Sequence, residues 1–156
     1  MSTNLERYLR ARGVIEAETA VKIAHGIALD LGDLHRRGLV YGSLVPRHVW
    51  LDDDGDGGIA AKLLVLRNEE YQVPELRPPA DIYALGIVLY EMLTGWPSFD
   101  GYTPPSQAQR MVRSTPSSTN REIPPVLDTL ILRCLEKSPD KRFQDGIEVA
   151  KALESL

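Results

Sequence analysis

Apolar residues recur at helical spacing along most of this chain, and this pattern predicts a mainly helical protein. The longest amphipathic segment runs from Ala17 to Arg37, and we expect the helix to end at Gly38, since glycine readily leaves the right-handed helical conformation. A shorter helix is predicted before it. Its start is indicated by Thr3 and Glu6 in capping-box spacing, and its end by Gly13.

The middle of the chain changes pattern. Residues 49–66, VWLDDDGDGGIAAKLLVL, place two apolar runs on either side of an Asp/Gly cluster, which predicts a short β-hairpin. Residues 81–95, DIYALGIVLYEMLTG, are apolar nearly all round, so we expect a buried central helix there. The preceding RPPAD is expected to break the chain before this helix begins.

The last third is richer in Pro, Ser and Thr. A short helix is predicted around residues 106–113, SQAQRMVR, followed by a mobile loop at residues 114–120, STPSSTN. Two final helices are predicted, from Val126 to Lys137 and from Gln144 to Leu156. No internal repeat or linker divides the sequence, so residues 1–156 are expected to form one domain.

Charge and composition narrow the possible partners. The net charge of −4 argues against a nucleic-acid surface, and no apolar run is long enough for membrane insertion. The single cysteine, Cys134, rules out an internal disulfide and a cysteine-rich zinc site. His25, His35 and His48 lack metal-ligand spacing, so no metal is expected. These features predict a cytoplasmic protein.

The Asp/Gly cluster also invites a calcium interpretation. Asp52, Asp54, Asp56 and Gly57 follow the start of an EF-hand loop, but the position of its closing glutamate holds Leu63. A solvated hairpin turn is therefore the preferred interpretation.

Four segments in register carry a family resemblance: LHRRGLVYGSLVPRHVWL, YQVPEL, DIYALGIVLYEMLTGWPSF and LEKSPDKRF. In order and style they resemble the C-terminal lobe of protein kinases, in particular bacterial serine/threonine kinases. The resemblance implies a mainly α, kinase C-lobe-like helical domain with a short β-hairpin. The N-lobe, with its glycine-rich loop, is expected to be absent from this chain.

The catalytic loop departs from the family pattern. An active kinase has H-R-D-L-x-x-x-N, whose Asp orients the substrate hydroxyl and whose Asn binds Mg²⁺. At the His-Arg-Asp positions this chain has Tyr41, Gly42 and Ser43. Val45 occupies the position of a phosphate-facing lysine, and His48 that of the asparagine.

The metal-binding Asp of the D-F-G motif is also replaced, by Val65, which offers no oxygen ligand. Ser43 is too weak a base to replace a carboxylate. From these substitutions we expect a catalytically inactive pseudokinase that is not an enzyme, has no catalytic residues and needs no cofactor. Val65 and Glu75 are also too close in sequence for a full activation segment.

Other family positions are retained. Glu75 and Arg142 match a structural ion pair of the family, and Asp81 matches an aspartate that braces the catalytic-loop backbone. His35 matches a structural histidine at the end of the long helix. The resemblance implies that these four residues support the fold.

Trp50 lies where the family forms the floor of the adenine pocket. It could fold down onto the lobe, anchor a partner protein, or retain adenine binding. Without an N-lobe above it, a face around Trp50, Val45, Leu64 and Leu66 is expected to be exposed, and large apolar patches usually mark interaction sites.

The expected function is therefore that of a scaffold or regulatory subunit acting through protein–protein interaction. The partner would be another protein, a second copy, or another domain of a longer chain. Two alternatives remain open: a C-lobe completed to a kinase by an N-lobe on another chain or domain, and a purely structural spacer.

Overall fold

The protein was analysed as a computed structural model that describes residues 2–64, 76–95 and 114–156. Its main elements within those ranges are six α-helices and three strands. In chain order they are β1 (Thr3–Asn4), α1 (Leu5–Arg12), α2 (Ala17–Arg36), β2 (Val49–Asp53), β3 (Ile59–Leu63), α3 (Pro78–Thr94), α4 (Pro116–Thr119), α5 (Pro125–Cys134) and α6 (Gly146–Glu154). The mainly α fold class predicted from the sequence is confirmed.

The first helix forms where predicted but with a different cap. The side chain of Asn4, not Thr3, accepts a hydrogen bond from the backbone N–H of Arg7 (2.9 Å), and the helix ends at Gly13. The predicted capping box is therefore wrong by one residue. Thr3 and Asn4 are in extended conformation because they form β1, a strand that the sequence pattern did not reveal.

Helix α2 is the centre of the fold and packs against β3, α3 and α6. Its buried positions recur at the helical spacing seen in the sequence, which explains why its bounds were predicted to within one residue. At Gly26 a Cβ atom would lie 2.8 Å from the carbonyl oxygen of Ala61, so glycine lets the helix approach the edge strand closely.

The three strands form an antiparallel sheet in the order β1-β2-β3. In the hairpin, Val49 pairs with Leu63 and Trp50 with Lys62, while Asn4 of β1 pairs with Trp50 from the other side. The register places Leu51 opposite Ala61 on the face turned towards the core. The predicted hairpin is confirmed, with its turn formed by the Asp/Gly cluster.

Helix α3 is buried along most of its length, as its uniformly apolar sequence predicted. It begins at Pro78, so the proline pair opens the helix instead of breaking the chain before it. Gly95 ends it with a left-handed conformation (φ 77°).

The end of the chain differs from the prediction in two respects. Residues 116–119 of the predicted loop form α4, where Asp128 of α5 accepts a hydrogen bond from the backbone N–H of Ser117 (3.0 Å) and a second one from its hydroxyl. The last two helices are shorter than predicted, and the short helix predicted at residues 106–113 lies outside the described residues. Within the described ranges, no helix combines the length and hydropathy needed to cross a bilayer.

Candidate functional site

The carboxylate of Asp81, in the first turn of α3, is buried in the core and accepts three hydrogen bonds. It is 1% exposed. Oδ2 accepts hydrogen bonds from the backbone N–H of Tyr41 (2.7 Å) and from Nε2 of His35 (2.9 Å), and Oδ1 accepts one from the backbone N–H of Gly42 (2.8 Å). A buried carboxylate is tolerated when it is paired and hydrogen-bonded in this way.

His35 extends this network to the last helix. Its Nδ1 accepts a hydrogen bond from the backbone N–H of Gly146 (3.0 Å), so the ring proton lies on Nε2 and is donated to Asp81. A Cβ atom at Gly146 would overlap the carbonyl oxygen of Ala28 on α2, so glycine permits this approach. We call His35, Asp81, Gly146 and their hydrogen bonds the Asp81 network.

The loop braced by this network contains the family's catalytic positions. Gly42 has a positive φ of 74° at the bend. His48 donates from Nδ1 to the carbonyl oxygen of Ser43 (2.6 Å), and the Tyr41 hydroxyl donates to the carbonyl oxygen of Leu64 (2.9 Å). The side chains of Tyr41 and His48 thus tie the loop to itself and to the end of β3.

The predicted partner surface is only partly as expected. Trp50 and Leu64 are 42% and 37% exposed. Lys62 lies directly opposite Trp50 on the same outward side of the hairpin. We call Trp50, Lys62 and Leu64 the hairpin face. Val45, however, is buried, with only 4% of its surface exposed. Its assignment to an exposed surface is therefore wrong.

Three predicted site residues, Val65, Leu66 and Glu75, lie outside the described residues. Arg142, the predicted partner of Glu75, donates from Nε to the carbonyl oxygen of Glu136 (2.7 Å) and from Nη1 to that of Pro79 (3.1 Å).

The guanidinium of Arg142 also lies 4.7 Å from the centre of the Tyr83 ring. Its burial lowers the pKa of Arg142 from the usual value. Together with its backbone hydrogen bonds, this stacking makes Arg142 a clamp between α3 and the turn before α6.

One supporting residue was not predicted from the sequence. Asp30 of α2 accepts a hydrogen bond from the backbone N–H of Leu63 (2.9 Å) and lies 3.3 Å from Nζ of Lys62. Asp30 therefore satisfies a backbone N–H on the outer edge of β3, at the end of that strand. An acidic residue within the long apolar pattern of α2 was the available signal, but its partner is 33 residues away.

The Asp/Gly turn has the geometry of a hydrogen-bonded hairpin turn. Oδ1 of Asp54 accepts hydrogen bonds from the backbone N–H groups of Asp56 (2.9 Å) and Gly58 (2.8 Å). These two bonds lower the pKa of Asp54, which keeps it charged. Across the described ranges, no three His, Cys, Asp or Glu side chains are grouped so that they could hold a metal ion.

Comparison with known proteins gives a family match. The model of the family described as "protein tyrosine and serine/threonine kinase" matches residues 66–146, more than half of the chain. A probable serine/threonine-protein kinase of Clostridium acetobutylicum is 31% identical over 97% of this chain and 27% of its own length. Serine/threonine-protein kinase PknB of Mycolicibacterium smegmatis is 30% identical over 88% of this chain and 26% of its own.

Solved structures give the same fold. The PknI kinase domain of Mycobacterium tuberculosis superimposes with a TM-score of 0.69 at 21% identity, covering 99% of this chain and 62% of that domain. The chain therefore spans about a quarter of the curated relatives' length and less than two thirds of a solved kinase domain.

These findings correct one prediction. The expectation of a protein that is not an enzyme is wrong, because the relatives are named serine/threonine-protein kinases and the fold matches a kinase domain, both of which point to an enzyme. The expectation rested on Ser43 and Val65. Replaced carboxylates within one lobe do not exclude acidic groups supplied from elsewhere in a complete protein.

Proposed function

Since this chain belongs to the protein tyrosine and serine/threonine kinase family, we propose that it forms the C-terminal lobe of a serine/threonine protein kinase. In this proposal a second lobe, on another domain or another chain, covers the hairpin face and completes the nucleotide site. The proposal includes the cytoplasmic location expected from the sequence, which suits the reduced, buried Cys134.

The observation that carries the proposal is the Asp81 network. Two backbone N–H groups of the catalytic loop, from Tyr41 and Gly42, are held by one buried carboxylate. Such a brace costs desolvation and is stable only when every hydrogen bond is made. A loop fixed this firmly at the lobe surface is suited to presenting groups to a bound substrate.

The exposed apolar side chains of the hairpin face support the proposal of a second lobe. Trp50 and Leu64 are large apolar side chains on the outward side of a short sheet, next to the braced loop. Tryptophan is enriched among the residues that dominate binding energies at protein interfaces. Covering Trp50 and Leu64 would remove apolar surface from water and stabilise the assembly.

Phosphoryl transfer would require acidic groups that this chain lacks at two of the family's positions. Phosphoryl transfer in this family depends on acidic groups that hold Mg²⁺ and orient the attacking hydroxyl. Ser43 has a hydroxyl and Val65 an alkyl group at two such positions. The acidic groups must then come from other positions of the complete protein.

Phosphate transfer from labelled Mg·ATP to a generic protein substrate tests the kinase part. We expect the full-length gene product, isolated with any bound partner chain, to label serine or threonine. The variant Trp50→Glu should label at least tenfold less, because a carboxylate cannot be covered by an apolar lobe. A matched control is Val126→Glu, because Val126 is 50% exposed on α5, away from the hairpin face.

Each part of the proposal can fail separately. No labelling by the full-length product would contradict the kinase activity. Amide hydrogen exchange of β2 and β3 then tests the covering lobe independently of activity. We expect slower exchange at these strands in the full-length product, isolated with any bound partner chain, than in the 156-residue chain alone, and equal exchange would contradict a second lobe on the hairpin face.

A further inference from the structure

His48 has one ring nitrogen that is bound within the protein and one that is open. Its Nδ1 lies 2.6 Å from the carbonyl oxygen of Ser43. A carbonyl oxygen only accepts hydrogen bonds, so Nδ1 has the ring proton, and Nε2 of the neutral imidazole has a lone pair. Within the described ranges, every buried side-chain nitrogen or oxygen has a hydrogen-bond partner, and Nε2 of His48 has none, so this nitrogen is in contact with solvent.

Three contacts fix the direction in which the open nitrogen points. The backbone N–H of His48 donates to the carbonyl oxygen of Val45 (3.0 Å), and its own carbonyl oxygen accepts from the N–H of Leu64 (2.7 Å). The rings of Tyr41 and His48 meet edge to face, with their centres 6.4 Å apart. The imidazole is therefore held in one orientation, as proton transfer at a defined atom requires.

The charged and titratable groups around His48 come from its own loop and from α1. Tyr41 and Arg47 belong to the loop, and Arg47 is exposed. Helix α1 packs against the 3₁₀ turn Pro46–His48, and its charged residues near this turn are Glu6, Arg7 and Arg10. Glu6 and Arg10 pair with each other at 3.8 Å, and β1, which also packs here, has no charged residue. In the part of the chain that the structure describes, no ion pair occupies Nε2.

From this oriented, open lone pair we propose that His48 is the general base of the phosphoryl transfer, an inference that rests on the proposed function. Nε2 accepts the proton of a serine or threonine hydroxyl of the substrate while the hydroxyl oxygen bonds to the γ-phosphorus of ATP. The bond from that phosphorus to the β–γ bridging oxygen breaks, and its electron pair leaves with ADP. The imidazolium then gives the proton to water. Imidazole suits this task because it takes up a proton near neutral pH.

Ser43 places this base where the family has its proton acceptor. The Ser43 hydroxyl is too weak a base for the task, but its carbonyl oxygen holds the His48 ring, so Nε2 lies one ring width away from it. The tautomer also selects the ligand. A lone pair accepts a hydrogen bond from a hydroxyl, whereas a phosphate oxygen would need a donor at Nε2. The geometry therefore favours proton acceptance over phosphate binding.

The pH dependence of labelling tests the assignment with a matched variant. In His48→Asn the side-chain amide retains an N–H for the Ser43 carbonyl but has no group that takes up a proton. In the labelled Mg·ATP assay with the full-length gene product, isolated with any bound partner chain, the unmodified protein should exceed this variant about 100-fold at pH 8. At pH 5 the ratio should fall below about tenfold, because a protonated imidazole cannot accept a proton. Every other titrating group is shared by the two proteins.

His25 provides the control substitution. It bonds to Glu154 (2.8 Å), at the end of α6 distant from His35 and the catalytic loop. His25→Asn should label within about twofold of the unmodified protein at both pH values.

A second measurement reads the open nitrogen without using activity or a variant. Diethyl pyrocarbonate reacts with the unprotonated, accessible nitrogen of an imidazole, and mass spectrometry of peptides locates the product. In the unmodified full-length protein at pH 7, His48 should react at least about tenfold faster than His35, whose side chain is 3% exposed and bonded at both nitrogens.

Four results would overturn the inference: labelling by His48→Asn at or above the unmodified level at pH 8, a ratio that does not change with pH, an equal change in His25→Asn, or reaction of His48 as slow as that of His35. No labelling by the unmodified protein at any pH would overturn the proposed kinase function and this inference together. Labelling with an unchanged ratio would overturn this inference alone.

Discussion

The Asp81 network and the hairpin face lie at the two ends of one braced loop, yet they use their side chains in opposite ways. In the network, the polar atoms of His35 and Asp81 bond to protein groups in a dry interior. On the hairpin face, Trp50 and Leu64 keep more than a third of their surface exposed. The hydrogen bonds of the Asp81 network are made by groups of this chain. On the hairpin face, a further element that packs against Trp50 and Leu64 would remove apolar surface from water.

The largest expected effect tests whether the network holds the fold. Asp81→Ala should lower the free energy of unfolding by about 3–5 kcal/mol, because it removes the acceptor of the buried ring N–H of His35 and of the backbone N–H groups of Tyr41 and Gly42. Urea denaturation followed by circular dichroism measures this.

Asp33→Ala is the matched control for that variant, since Asp33 makes ion pairs with Arg36 and Arg37 on the exposed side of α2. It should cost less than about 1 kcal/mol. If both variants lost the same small amount, the network would not be the brace described here.

The second prediction compares adjacent residues of β2. Leu51 is 2% exposed and Trp50 is 42% exposed. Leu51→Ala should cost about 2–5 kcal/mol through the cavity it leaves, whereas Trp50→Ala should cost less than about 1 kcal/mol. Urea unfolding of the 156-residue chain checks both values. A large loss from Trp50→Ala would mean that its indole already supports the lobe, and the hairpin face would lose its role as an open surface.

Much of the fold was predictable because it depends on local periodicity. Helix α2 buries the apolar positions that the sequence repeats at helical spacing, α3 is buried on nearly all sides as its apolar sequence predicts, and the Asp/Gly cluster forms the hairpin turn. The short helix α4 was not predicted, because its first turn is held in part by Asp128, which accepts hydrogen bonds from Ser117 and lies 11 residues away from it. Local patterns contain no information about such a partner.

The site was less predictable than the fold. The resemblance to kinases pointed to Asp81 and His35, but the contact between His35 and Gly146 joins residues 111 positions apart. Val45 was assigned to an exposed surface because the absence of an N-lobe was expected to uncover it, whereas the loop buries its side chain. Exposure depends on how a loop packs, which the identity of one residue does not reveal.

The smallest expected effect tests whether water is excluded from the helical interior around α5. Cys134 of α5 is fully buried, and burial raises the pKa of its thiol to about 12 from the usual 9.0. Below pH 9 the thiol is protonated in both the folded and the unfolded states. Between pH 9 and 12 the unfolded state releases this proton and the folded state keeps it, so the free energy of unfolding falls as pH rises.

That loss should reach up to about 1.4 kcal/mol per pH unit from this thiol, and the variant Cys134→Ala should lack it. Urea unfolding of both proteins at pH 8 and pH 10 isolates the thiol, because every other titrating group is shared. In the same samples, iodoacetamide should label native Cys134 at pH 8 only as fast as the protein unfolds, since only the thiolate reacts. Rapid labelling without unfolding would show that water reaches α5, and the contrast between a dry helical interior and an open hairpin face would not hold.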